Sequence, residues 1–478
     1  MNPLLNTDSY KIAHWEQYPP GTNRVYSYLE SRGGRFPETV FFGLQYILRK
    51  YLAGPVITQS DLGEAHQLLQ MHFGKDLLNT KGWQHIITDH RGYLPIKIKA
   101  VPEGTVVPTH NVLMTVENTC PQCYWLTNYV ESLLVQVWYP TTVATQSRAV
   151  RQLIKGALER TGDPAGLDFK LHDFGFRGVS SVESASIGGG AHLASGFKGT
   201  DTLVALQWLR RYYDEACAGF SIPASEHSTI TSWGRENEVR ACENMLDKYP
   251  TGLVACVSDS YDIFKSCSEI WGGVLKDKVL NRDGCLVVRP DSGDPPVIVM
   301  AVLERLGAAL GMTYNEKGFK VLNPKVRVIQ GDGVNLDSIA EILRRMRENG
   351  WSADNVAFGM GGALLQKLDR DTQKFAFKCA HITGSSFDQA SWEAGRVMPA
   401  GNAVAWERDV YKDPITDGGK VSKRGRMKLV RKENGRLYTQ PEALSLAETD
   451  QLVEVFRDGR MLTQTTLAEV RERSNGGV

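Results

Sequence analysis

HDFGFRG (172–178), KGTDT (198–202), IPASEHS (222–228), CVSDS (256–260), VVRPDSG (287–293), VIQGDG (328–333) and AFGMGG (357–362) share one pattern. In each, an apolar or β-branched run ends abruptly in charged, Gly or His residues. A parallel strand buried on both faces reads as a continuous apolar run. Chemistry placed just past the C-terminal ends of such strands is how a (β/α) barrel builds its site. Helices are expected between the runs, at 262–275, 296–310, 336–347 and 363–371. In the third, Leu336, Ile339, Ile342, Leu343 and Met346 mark one buried stripe. Seven or eight βα units in a row favour a closed barrel over an open doubly wound sheet.

Outside these units the rhythm changes. Residues 39–51 read as a helix, and 125–138 as an amphipathic helix that Pro140 stops. Residues 96–98 and 112–116 read as strands joined by the turn-rich PEGTVVP (102–108). A Gly- and Ser-bearing stretch (381–402) leads to the basic segment KDPITDGGKVSKRGRMK (412–428), and a small closing element follows Leu444. The expected organisation is an α/β class protein. Its irregular (β/α) barrel spans 144–379 and carries most of the site. The barrel packs with a mixed α+β companion domain formed by 1–143 and 380–478.

The 478 residues carry a formal net charge of +1, so no global field draws the chain to nucleic acid or an anionic membrane. An anion site must be local. No apolar run is long enough to span a bilayer, and MNPLLNTDSYK lacks the features of a secretory signal. Eight scattered Cys point to reduced thiols in the cytoplasm. Cys120 and Cys123 form a CPQC. A zinc ribbon needs a second pair at suitable spacing, and none follows; a redox pair needs a βαβ context that is missing, so burial beside the next helix is expected.

Four Asp residues, Asp201, Asp259, Asp291 and Asp332, end four of the seven runs. Any one alone reads as a helix cap. Four at one barrel mouth need a metal, hydroxyls or cations to offset their repulsion. His227, among them, suits a general base, a nucleophile or a phosphate acceptor. GMGGALLQK (359–367) opens a helix with glycines that let amides approach a phosphate, or forms a tight turn only. The DFG of HDFGFRG lacks the other kinase motifs; Phe174 and Arg177 read better as an aromatic shelf with an anion clamp. GGGAH (188–192) lacks the dinucleotide fingerprint spacing and is expected to be a flexible loop. The basic segment is a solvated loop or a polyphosphate strip.

TDSYK (7–11), QYPP (17–20), CYWLTNYVESLLVQVWYP (123–140), HDFGFRGVSS, FKGTDT, SEHSTI, SDSYDI, RPDSG, VIQGDGV and FGMGGALLQK together resemble the nicotinamide phosphoribosyltransferase family, in the same order and over nearly the whole chain. The resemblance implies a type II phosphoribosyltransferase fold and a homodimer with shared active sites. It also implies transfer of phosphoribose from phosphoribosyl pyrophosphate to nicotinamide, and ATP-coupled phosphorylation of His227. Mg²⁺ would be held mainly through pyrophosphate, with no site fixed by protein alone.

By the same resemblance Phe174 and, from the partner subunit, Tyr10 sandwich the pyridine ring. Asp201 accepts from the carboxamide, with Ser221 and Arg177 beside it. Asp259 orients His227. Arg289 lines the nucleotide pocket, and Asp291, Gly331 and Asp332 face the ribose. Gly361 and Gly362 cradle the 5′-phosphate. Arg32, Arg370, Lys378, Lys412 and Lys420 form a cationic strip. Met360, Ala363 and Phe176 stand where other members can have Ser, Gly and Tyr. The alternatives are a nicotinate-specific enzyme and a non-catalytic binding protein on the same scaffold.

Overall fold

Six of the seven runs become strands: β1 (Leu171–Asp173), β2 (Gly199–Thr200), β3 (Thr251–Val257), β4 (Asp283–Arg289), β5 (Val326–Gln330) and β6 (Val356–Met360). The computed structural model describes residues 2–386, 404–444 and 447–476. The strands pair in parallel in the order β2-β1-β6-β5-β4-β3. The seventh run, IPASEHS, forms no regular strand. Phe220 bridges Gly199 of β2, and Ala224 bridges Ala255 of β3, both in parallel. This extended segment therefore joins the two sheet edges and closes an irregular barrel. Its ladder stays short partly because Pro223 has no N–H to donate; its carbonyl still accepts from Ala255. Inside, Ala255, Val287 and Ile329 from β3, β4 and β5 are buried together. Phe174, Ile222 and Ala357 pack against them.

Four helices, α1 (Val182–Ala194), α2 (Leu203–Tyr213), α3 (Pro295–Leu310) and α4 (Leu336–Glu348), follow the strand ends. Asn335 caps α4, its side chain accepting from the Asp337 and Ser338 amides, and Ile339, Ile342, Leu343 and Met346 are buried. GGGAH is not a loop: it lies within α1. A Cβ on Gly189 would sit 2.7 Å from Ala205 Cβ, and one on Gly190 2.7 Å from the Trp208 ring. Small residues here let α1 and α2 touch. The helix expected at 262–275 is Ile263–Lys265 followed by a π-helical Ser266–Val274. The one at 363–371 shrinks to Gly362–Leu365, with a separate turn at Arg370–Thr372 that Asp369 caps.

The chain divides into two compact units, Val143–Leu368 and Met1–Thr142 with Asp369–Val478. The barrel thus ends earlier than the expected 379. The reason is that Phe375–Ser386 pairs antiparallel with Thr22–Ser31. Both belong to a seven-stranded sheet that also holds Val112–Asn118, Ile96–Ala100, Val453–Arg457, Arg460–Met461 and Val404–Asp409. Much of the 381–402 stretch, residues 387–402, lies outside the described residues.

Two helices expected ahead of the barrel also differ from expectation. Residues 38–40 are a strand, and helix begins only at Leu44. The 125–138 stretch is broken into Leu126–Tyr129, Glu131–Leu134 and Val135–Val137. Pro140 does not stop it but sits in the first turn of Trp138–Thr161. A first-turn proline loses no helical hydrogen bond, because that N–H has no partner in any case. Among the described residues, no helix is long and apolar enough to cross a membrane.

Candidate active site

Parallel pairing of β1 with β2 sets Asp173 beside Thr200, so the residues that follow, Phe174 and Asp201, emerge at neighbouring strand ends. The Phe174 amide donates to the Met360 carbonyl at 3.0 Å, and the Asp201 amide to the Asp173 carbonyl at 3.0 Å. Gly359 makes room for the ring: a Cβ there would lie 2.0 Å from Phe174 Cε2. Ser221, on the closing segment, donates its hydroxyl to Asp201 Oδ1 at 2.5 Å. Asp201 and Ser221 are both exposed to solvent, and Arg177 is exposed in the turn Phe176–Gly178.

Beneath them Asp173 is fully buried. Its Oδ1 accepts from the Gly175 amide at 2.7 Å, while Oδ2 has no partner among the described residues. Burial pushes its carboxyl up to about 6; the Gly175 amide offsets part of this, and Asp201 adds to it. Nothing in HDFGFRG distinguishes Asp173 from its neighbours before the fold buries it.

A second cluster stands at the ends of β3 and β4. His227 starts the short helix His227–Thr231. Its Nε2 faces Asp259 Oδ1 at 3.1 Å and its Nδ1 lies 3.8 Å from Asp291 Oδ2. Asp259 is 3% exposed, whereas the imidazole is 45% exposed and open to a reactant. The other Asp259 oxygen accepts from the Asp291 amide at 3.0 Å and the Ser292 hydroxyl at 2.5 Å. A carboxylate accepting at Nε2 fixes the hydrogen there, so neutral His227 carries its lone pair on Nδ1. Arg289 Nε is 3.9 Å from Asp291 Oδ1 and, though buried, makes no hydrogen bond to the described residues.

β5 and β6 complete the mouth. A Cβ on Gly331 would meet Asp291 Oδ1 and the Phe174 ring, each at 3.4 Å, so glycine brings ring and carboxylate together. Asp332 is exposed, and its carbonyl accepts from Gln330 Nε2 at 2.8 Å. Gly361 and Gly362 open the four-residue helix Gly362–Leu365. Open space surrounds the Cβ position of Gly362, and Gly178 lies against its backbone. Phe174, Arg177, Asp201, Ser221, His227, Asp259, Arg289, Asp291, Gly331, Asp332, Gly361 and Gly362 all belong to the barrel unit.

The remaining expected site residues belong to the other unit. Burial lowers the Lys378 ammonium pKa; Glu131 raises it, and Arg32, Lys412 and Arg370 lower it further. Arg32, Lys412 and Arg370 therefore each lie within electrostatic reach of Lys378. Arg32 pairs with Glu30 at 2.8 Å, but its Nη2 is buried without a partner among the described residues. Lys420 pairs with Asp417 at 3.2 Å. Tyr10 is 61% exposed, and the Lys11 ammonium lies over its ring.

The fold is that of a type II phosphoribosyltransferase. A nicotinate-nucleotide pyrophosphorylase from Pyrococcus furiosus superposes with a TM-score of 0.59 at 14% identity, covering 99% of this chain and 95% of that one. Human nicotinic acid phosphoribosyltransferase gives 0.55 at 14% identity, covering 98% and 93%. Residues 169–386 match the nicotinate phosphoribosyltransferase family, and residues 2–98 match the nicotinamide phosphoribosyltransferase N-terminal domain. The chain is 51% identical to a nicotinamide phosphoribosyltransferase of Xanthomonas campestris pv. campestris, over 99% of its own length and 98% of the relative's. It is 31% identical to one from Acinetobacter baylyi, over 99% and 97%. The chain belongs to the nicotinamide phosphoribosyltransferase family of pentosyltransferase enzymes.

Proposed function

We propose that the enzyme transfers the 5-phosphoribosyl group of phosphoribosyl pyrophosphate to nicotinamide. The products are nicotinamide mononucleotide and pyrophosphate, a salvage step toward NAD. The observation that carries the choice of base is Asp201, held by Ser221 at the strand end next to Phe174. A carboxylate welcomes the N–H of a carboxamide and repels the carboxylate of nicotinic acid. Phe174 offers a face for the pyridine ring. Exposed Tyr10 would close the other face from a second copy of the chain, in a homodimer with shared sites.

Departure of pyrophosphate leaves oxocarbenium character at the ribose C1, as at a glycosidic centre. Asp291 would stabilise that charge, and Asp332 would face the hydroxyls. Gly361, Gly362 and the cluster of Arg32, Lys378, Lys412 and Arg370 suit phosphate and pyrophosphate, with Lys420 alongside. Mg²⁺ fits a mouth bearing hard oxygen donors such as Asp291 and Asp332, and when bound mainly through pyrophosphate would neutralise the leaving group. Eight free cysteines suit a reducing cytoplasm.

The test is turnover with nicotinamide against nicotinic acid. Nicotinamide is expected to be the preferred base, and Asp201→Asn to erode that preference by about tenfold or more, in line with loss of one charged hydrogen bond. Selectivity equal to the parent's would remove Asp201 from amide recognition.

ATP belongs to the same proposal. With Nε2 held by Asp259, the Nδ1 lone pair of His227 is the nucleophile toward the γ-phosphorus. ADP leaves, and later hydrolysis of the phosphohistidine returns phosphate. His227→Ala is expected to keep basal synthesis and lose the rate increase given by ATP. Equal ATP stimulation in variant and parent would overturn this role.

A further inference from the structure

The CPQC pair has partners after all, but upstream. His85 occupies the last turn of the helix Thr80–Thr88, and His90 lies just beyond it. Cys120 precedes, and Cys123 ends, the turn Pro121–Cys123 that follows the strand Val112–Asn118. One ligand atom from each of His85, His90, Cys120 and Cys123 lies within 4.8 Å of all the others. All four residues belong to one unit. We propose that these four side chains form a structural Zn²⁺ site, built from none of the residues assigned to transfer.

The donor set is two sulfurs and two imidazoles, the composition that selects zinc among available divalent ions. The spacing, His-x₄-His and Cys-x₂-Cys, falls within the ranges of Cys₂His₂ sites, in reversed order. Bonds of about 2.0–2.3 Å in a tetrahedron give ligand–ligand edges of about 3.3–3.8 Å. His85 Nε2 already lies 3.3 Å from Cys120 Sγ. The two imidazole rings stand at 87° with centroids 5.0 Å apart, so they converge edgewise rather than stack.

Two further observations point to a ligand. His85 Nδ1 is paired with the Asp89 carboxylate, which holds the ring in the tautomer whose Nε2 is free to bind. A carboxylate behind a histidine is the usual outer support of a zinc ligand. His90 Nε2 is buried, yet has no hydrogen-bond partner among the described residues.

The loop is also fixed in advance. Asn118 Nδ2 donates to the Cys120 carbonyl at 2.7 Å, and the Cys123 amide to the same carbonyl at 3.0 Å. Four protein ligands leave no open position, so the ion would staple the end of the helix Thr80–Thr88 to the turn after the strand Val112–Asn118 rather than catalyse.

The test uses the full-length chain purified under reducing conditions. After zinc loading and dialysis, elemental analysis is expected to find about one zinc per chain. Cobalt added to metal-free protein should give the intense visible bands of a tetrahedral site and a near-ultraviolet thiolate band. Cys123→Ser and His90→Gln should lose most of the bound metal. A folded parent chain that retains no zinc above the buffer blank and shows no thiolate–cobalt band overturns the proposal. So does a Cys120–Cys123 disulfide found by mass under the same reducing conditions. Because the parent alone gives these readings, misfolding of a variant leaves the test decisive.

Discussion

Asp291→Asn is expected to lower kcat by about 10²–10³-fold while nicotinamide binds within about threefold of the parent affinity. The asymmetry follows from where the carboxylate stands. Asp291 lies between His227 Nδ1, at 3.8 Å, and Arg289 Nε, at 3.9 Å, with Gly331 letting it approach the Phe174 ring. Its negative charge would face a ribose carbon that becomes cationic only as the bond to pyrophosphate lengthens. An interaction made chiefly in the transition state reduces kcat when removed and leaves ground-state affinity alone. Asn keeps the shape and the backbone amide, which still donates to Asp259. The variant is therefore expected to fold normally. Steady-state kinetics together with a direct binding titration check this. A kcat within about fivefold of the parent, or a loss confined to KM, would take charge stabilisation away from Asp291.

The barrel was legible because its strands carry short apolar runs that end buried, Val254–Val257 in β3, Leu286–Val288 in β4 and Phe358–Met360 in β6, although Arg327 interrupts β5. The site residues were legible for a linked reason: polarity begins where such a strand ends. IPASEHS shows the limit. Its position at the mouth could be read, but closure of the sheet by two single bridges depends on partners distant in sequence.

Local rules failed where packing overrode them. Pro140 reads as a helix stop, yet it lies where the missing N–H costs nothing. Three successive glycines read as a loop, yet Gly189 and Gly190 are helical because Ala205 and Trp208 press against them. Asp173 has no sequence mark of its own; its burial arises only when β1 is covered. His85 and His90 left a readable trace, a His-x₄-His ahead of the CPQC, that a search only downstream of the cysteines misses.

The second large effect concerns stability. Glu117→Gln is expected to destabilise the chain by roughly 3 kcal/mol at pH 7. Glu117 is 2% exposed in the strand Val112–Asn118. Burial by itself would push its carboxyl up. Bidentate hydrogen bonds from Arg426, at 3.0 and 3.2 Å, and the Lys97 ammonium outweigh that and hold it at about 2. The folded-state pKa thus lies below the unfolded value, so the contribution is fully present above about pH 4.5 and is lost as pH falls toward 2.

Gln keeps the volume and one acceptor but leaves Arg426, Lys97 and, at 3.9 Å, Arg24 facing a neutral group. Arg426 retains Glu442 at 3.0 Å and its seat over the Tyr26 ring, which keeps the loss at the lower end of the range for broken buried pairs. Chemical unfolding of parent and variant from pH 7 to pH 3 measures both parts. The gap between the two curves should be largest at pH 7 and should narrow as pH drops below about 4.5, because the parent then begins to lose what the variant lacks at every pH. A gap that stays constant over that range would mean that Glu117 acts through packing rather than charge.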